Sequence, residues 1–316
     1  MDTLDKIKNP KGNGILRDIR RRPLLHLFVW MGLIHLFLFS VLPITGVQMA
    51  FRNFKLREGM AGIWTGEWVG LKYFEEFLTN RKFGNLMQNT LIISVLKLVL
   101  NFPMAIAFAV MLTEMPWPRF KRVVQTVSYL PHFISWVVVS GIMFAFFSTS
   151  QGLVTDLCSK VGIEMPAILT KPEYYYGLAV FSELWKEMGW NAIIYLAAIS
   201  GIDPTLYESA QIDGAGRLRR IFSITIPSIK GTIAVLLIMG VGGLMGGANM
   251  EQSMLLGNAT NIATSEIIEL YVYNQGLGSG RYSYAAAAGL FQSVVSLILV
   301  VAANKFSRRF LDSSLF

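Results

Sequence analysis

Along the chain six continuously apolar stretches alternate with polar connections, at approximately residues 24–50, 86–112, 123–147, 176–200, 232–256 and 284–304. Each reaches the roughly 17–25 residues that an α-helix needs to cross a hydrocarbon core of about 30 Å. The stretches are unbroken rather than alternating, which predicts helices and not barrel strands. A helix also satisfies its own backbone amides in lipid. The pattern therefore predicts an all-α membrane protein with six transmembrane helices.

Composition agrees, because a 316-residue chain with 53% hydrophobic and 15% charged residues is too apolar for a soluble domain of that length. The net charge of +8 is accounted for by topology. Lys and Arg in the connections number seventeen on the side that holds the N-terminus and nine on the other. The positive-inside rule then places both termini in the cytoplasm, and nucleic acid is not needed to explain the cations. Cys158 is the only cysteine, so the chain builds neither a disulfide framework nor a Cys-based metal site. The apolar run from Leu24 is too long for the core of a signal peptide and no A-x-A-like site follows, which predicts a retained first helix.

Residues 1–22 read as a basic cytoplasmic arm, and residues 23–316 as one membrane domain carrying a cytoplasmic loop over 203–231. In the outer connection after helix 1, Trp64, Trp68, Tyr73 and Phe74 keep amphipathic company, as interfacial aromatics do; a substrate or partner contact is the alternative. The connection over 148–175, with Gly152, Gly162, Pro166 and Pro172, reads as an irregular outer cap.

The loop between helices 4 and 5, "YESAQIDGAGRLRRIFSITIPSIKG" from Tyr207 to Gly231, is polar and sharply punctuated. Asp203-Pro204 is a helix start, since the Asp side chain caps free amides and Pro at the first position sacrifices no needed donor. On the short helix that follows, Leu206 and Ala210 share one face while Glu208 and Gln211 point the opposite way. Gly214 ends it, because a residue without a Cβ takes the left-handed conformation at low cost. A second polar helix begins at Gly216 and Pro227 interrupts it. By charge alone this is a solvated connector. Its spacing is more specific: Glu208-Ser209-Ala210, three residues, Gly214, nine residues, then Ile224-Thr225-Ile226-Pro227 resembles the EAA loop of ATP-binding-cassette (ABC) importer permeases. Ser209 and Ile226 depart from that pattern, both as small or apolar replacements.

The stretches "RFKRVVQTVSYLPHFISWVVVSG", "ELWKEMGWNAIIYLAAISGIDPTLYE" and "YSYAAAAGLFQSVVSLILVVAANKFSRR" extend the resemblance to the sugar and polysaccharide branch, and within it to the lipoprotein or polysaccharide permeases, which include a subunit of an alginate importer. The resemblance implies the type I (MetI-like) permease fold. It also implies a coupling loop in which Leu206, Tyr207, Glu208, Ser209, Ala210, Asp213, Gly214, Ile224 and Pro227 meet an ATPase subunit, with Glu208 as the acidic contact and Gly214 as the turn. The partners implied are a second homologous permease chain, two ABC ATPase subunits that hold ATP and Mg, an extracytoplasmic solute-binding protein and the lipid bilayer of a bacterial inner membrane.

This chain has no G-x-x-x-x-G-K-[ST] phosphate loop, so no cofactor is expected on it and ATP is handled elsewhere. The Gly-rich run from Gly240 to Asn249 lies within an apolar stretch; Gly242/Gly246 and Gly243/Gly247 match close helix packing, with a broken helix beside the pathway as the other reading. His26, His35 and His132 form no metal-ligand pattern, which points to interhelical or interfacial roles, and no catalytic set is present.

Lys97 is the exceptional intramembrane residue, since an ionised Lys near a span centre costs roughly 2.5–3.5 kcal/mol on insertion scales unless it finds water or a partner. Asn101 lies one turn away on the same face. Trp190, Asn191, Asn249, Glu251 and Gln252 complete the substrate-pathway candidates, being aromatic faces and hydrogen-bonding groups of the kind that hold sugars. An interfacial belt or a docking surface for the binding protein accounts for the same residues. The other functional readings are import of a peptide or amino acid by the same architecture, and an ATP-independent secondary transporter.

Overall fold

The computed structural model describes residues 19, 21–246 and 249–310; most of the predicted N-terminal arm lies outside them. Helix α1, Pro23–Phe51, changes pitch along its length but stays one crossing. None of its residues from Pro23 to Leu36 is buried, so its apolar surface is left for lipid or another chain to cover. The connection that follows pairs β1 (Arg52–Asn53) with β2 (Glu67–Trp68) antiparallel, Arg52 opposite Trp68. This small ribbon is the one departure from all-α structure among the described residues. Helix α2, Lys72–Leu78, seats Phe77 fully buried against Tyr284 and Phe291, a burial that contributes about 1.5–3 kcal/mol.

Helix α3, Phe83–Thr113, is the second uninterrupted crossing. The predicted third crossing is instead two pieces, α4 (Pro118–Phe133) and α5 (Trp136–Phe147), bent by 105°. Pro131 lies just before the bend, where its missing N–H and its restraint on Leu130 end the α-helix in a 3-10 turn. The following connection is not wholly irregular, since it contains α6, Leu153–Lys160.

Helix α7, Pro172–Ser200, has 29 residues and a length of about 43 Å. It is not apolar throughout, because Glu183, Lys186 and Glu187 cross its middle. It packs closely along α3, and the two share a core of Ala105, Ala109, Leu112, Ala192, Tyr195 and Ile199 toward the end of α7 that leads to α8. A second core, toward the other end of α7, joins Ile93, Trp136, Met143, Tyr175, Leu178 and Leu256.

After a loop with α8 (Pro204–Ile212) and α9 (Arg217–Ser228), the chain bends by 63° into α10, Lys230–Gly242. The predicted continuous span over 232–256 is broken: α10 stops at Gly242 and a separate helix α11, Met250–Leu256, resumes after Asn249, whose φ is 77°. Short helices α12 (Ile262–Ser265) and α13 (Ile268–Tyr273) lead to α14, Tyr282–Phe310, the third uninterrupted apolar helix. Three described helices thus qualify as crossings by length and apolarity, or five when each bent pair is taken as one. The glycine pairs offered for helix packing do not lie on one helix, and Gly247 is outside the described residues. Gly240 and Gly242 make the close contacts instead, where an added Cβ would come within 2.9 Å of Leu98 and 2.8 Å of Val300.

Candidate functional site

Two sets of residues, one inside the bundle and one on the loop between α7 and α10, carry the predicted chemistry. Lys97 and Asn101 lie together on the buried face of α3, at 7% and 8% exposure. The Lys97 ammonium donates to Gln252 Oε1 at 2.6 Å and to Glu183 Oε2 at 3.3 Å. Gln252 is completely buried and spends its amide nitrogen on Ala179 O and Ser182 Oγ, both at 2.8 Å. Asn249 donates to the same Glu183 oxygen at 2.7 Å. The charges are therefore paired and hydrogen-bonded, as burial of ions demands.

The cluster borders two cavities. One of about 290 Å³ is lined by Lys97, Asn101, Glu183, Asn191 and Tyr195 among others, and one of about 180 Å³ by Ser94, Lys97, Glu183, Leu244 and Asn249. Five predicted pathway residues, Lys97, Asn101, Asn191, Asn249 and Gln252, are thus brought to one place. Glu251 does not join them and is exposed on α11. Trp190 is also elsewhere: its ring stacks on His132 at 4.1 Å between centroids.

His132 belongs to a second polar cluster. Its Nδ1 meets Glu187 Oε2 at 2.7 Å, while Lys186 donates to His132 O at 2.7 Å and to Glu187 Oε1 at 2.9 Å. These contacts fasten the α4–α5 bend to α7, so His132 has the interhelical role that its sequence context allowed. Sequence reasoning missed Glu183 as the acidic partner of Lys97. The signal was present in its position, since "ELWKE" puts three charges inside an otherwise apolar stretch, where each requires a partner.

In the loop between α7 and α10, Asp203 caps α8 by accepting from Thr205 N at 2.9 Å, and this bond holds its carboxyl below the usual carboxylate range. Gly214 has φ +75°, and Ala215 N reaches back to Ala210 O at 2.8 Å, which closes the helix end. Glu208, Ser209 and Asp213 are exposed, while Leu206 is 48% and Ile212 88% exposed, so much of the apolar surface of α8 is uncovered by this chain. Tyr207 turns inward and its hydroxyl pairs with Thr225 Oγ1 at 2.9 Å. Ile224 lines a groove with Ala210 and Asp213, and Pro227 sits two residues before the bend into α10. Replacing Gly214 with valine will strain the turn by about 1–2 kcal/mol, since a β-branched residue pays heavily for positive φ; limited proteolysis of the loop will read this as faster cleavage between α8 and α9.

The profile of a family described as the binding-protein-dependent transport system inner membrane component matches residues 102–312. The chain belongs to this family. It is 39% identical over 309 residues, 98% of this chain and 95% of the relative, to the polygalacturonan/rhamnogalacturonan transport system permease protein YteP of Bacillus subtilis (strain 168). It is 38% identical to the protein LplB of the same organism, over 97% of this chain and 95% of that one. Among solved structures it is similar to a chain of a bacterial ABC transporter involved in the import of the acidic polysaccharide alginate, with a TM-score of 0.85, 38% identity and coverage of 94% of this chain and 99% of that one. A second crystal structure, of a bacterial alginate ABC transporter in complex with an alginate pentasaccharide-bound periplasmic protein, matches with a TM-score of 0.84, 38% identity and coverage of 95% and 99%. This permease is accordingly a transporter subunit of the ABC importer class and not an enzyme; hydrolysis of ATP falls to separate subunits.

Proposed function

We propose that this permease carries an acidic oligosaccharide or polysaccharide across a bacterial cytoplasmic membrane, with both termini on the cytoplasmic side. It pairs with a second homologous permease chain and two ATPase subunits holding ATP and Mg, and receives its cargo from an extracytoplasmic binding protein. The observation that carries this reading is a capped, turn-terminated α8 with exposed Glu208, joined by only Gly201, Ile202 and Asp203 to the helix that lines the buried polar cavities. The near full-length similarity to permeases named for polygalacturonan/rhamnogalacturonan and for alginate transport supports the cargo class. Lys97, Asn101, Asn191, Asn249 and Gln252, together with Glu183, offer donors and acceptors suited to hydroxyls and carboxylates. The loop residues Leu206, Glu208, Ser209, Ala210, Asp213 and Gly214 meet the ATPase, Tyr207 ties α8 to α9 through Thr225, and Ile224 and Pro227 pass the motion to α10 by rigid-body tilting of the attached helices.

The test is uptake of radiolabelled oligogalacturonate into proteoliposomes holding the complete importer. Uptake should require the binding protein and ATP. Transport that persists with hydrolysis-dead ATPase subunits would reject the reading, and transport of peptides in preference to saccharides would reject the cargo.

A further inference from the structure

The two intramembrane cavities have Lys97, Leu98, Glu183 and Gly240 in common. Along α3 the smaller takes Ser94, on the outer side of Lys97, and the larger takes Asn101, Phe102 and Ala105, on the inner side. The Lys97–Glu183 pair is therefore the partition between an outer and an inner chamber, near the middle of α3. The third member of the partition, Gln252, stands on a separate helix. The seven residues of α11 are set apart from α10 by the break after Gly242 and by the left-handed Asn249, and Leu256 seats the far end of the helix in the core beside Ile93 and Trp136. Its polar ties to α3 and α7 run through Gln252, at Lys97, Ala179 and Ser182, with Asn249 holding Glu183 from the N-cap position.

We propose that Lys97, Glu183 and Gln252 are the latch of a gate inside the membrane, with α11 as its moving leaf. A buried ammonium gives up its ligands only for equivalent ones. Saccharide oxygens entering the outer chamber supply them, so cargo itself releases the leaf and joins the chambers. Lys97 is on this account a positioning residue for α11. The inference rests on the importer reading for its cargo, but the latch is measurable without it.

The experiment introduces Asn101→Cys into a Cys158→Ser background and follows its reaction with a water-soluble maleimide added from the extracytoplasmic side. Lys97→Met and Gln252→Leu should each raise the labelling rate about tenfold, within the range of ordinary coupling between two states. The double variant should add nothing further, because both break one latch. Gln252→Glu puts a carboxylate opposite Lys97 and should keep labelling at or below the parental rate. In the assembled importer, Lys97→Met should hydrolyse ATP without loaded binding protein, and Gln252→Glu should respond less to it.

Unchanged labelling in the neutral variants, or effects that multiply in the double variant, would overturn the latch. If Lys97→Met does not assemble, the Gln252 pair decides: equal labelling in the Leu and Glu variants would overturn it as well. A parental complex that ignores its binding protein would defeat the importer reading alone, leaving the labelling result to judge the gate.

Discussion

Replacing Glu208 with lysine will leave a folded permease in the membrane and abolish ATP-driven transport. Glu208 is exposed on α8, while its neighbour Tyr207 turns inward to reach Thr225. Surface substitutions of this kind change stability by no more than about 0.5 kcal/mol. In the proposed complex the same position faces the ATPase, and placing a cation where an anion is wanted costs several kcal/mol through like-charge opposition and loss of the pair. Copurification of the ATPase should fall on the order of a hundredfold, by the rule that each 1.4 kcal/mol is tenfold, while thermal unfolding of the permease alone stays unchanged. Intact assembly and uptake in this variant would take the coupling role away from Glu208.

Gly189→Leu will have a comparably large effect by another route, loss of the folded chain. An added Cβ at Gly189 would sit 2.2 Å from the carbonyl oxygen of Ser128 and 2.6 Å from its carbon. These are backbone atoms of α4, so no rotamer change relieves the clash, and α4 must move away from α7. Overpacking alone costs typically 1–3 kcal/mol. The displacement also pulls His132 from Glu187 and strips Lys186 of the His132 carbonyl, leaving buried charge poorly paired at about 3–5 kcal/mol. The sum approaches the stability of a typical domain. The yield of monodisperse protein after detergent extraction should collapse, and Gly189→Ala should be impaired to a lesser degree. A Gly189→Leu protein with wild-type melting would show that the two helices do not need this contact.

Much of the architecture was legible because its causes are local. Helices α1, α3 and α14 announce themselves by continuous apolarity. The loop between α7 and α10 is set by an Asp-Pro start and a Gly stop whose geometry depends on neighbours in sequence, and Asp203 and Gly214 behave accordingly. The break between α10 and α11 was harder to place, because apolar composition continues across it and only the glycines and Asn249 mark the change. Gly246, read as a packing glycine, would set an added Cβ only in ordinary contact, 3.8 Å from Gln292 and 3.9 Å from Glu269; the tight approaches fall at Gly240 and Gly242. Lys97 was conspicuous, but its partners lie 86 and 155 residues away, and only tertiary structure joins them. Trp190 was misplaced for the same reason, since α7 turns it toward His132 rather than toward Lys97.

Helix α7 has a further consequence. Glu183 sits on it near the middle and Ser200 at its last position, roughly 26 Å apart along a single rod, with α8 following almost at once. Any tilt imposed at one end is geometrically shared by the other, like the two arms of a balance beam. Communication between cargo and motor in this chain therefore needs no relay of successive side-chain changes, and its fidelity is set by the stiffness of one uninterrupted helix.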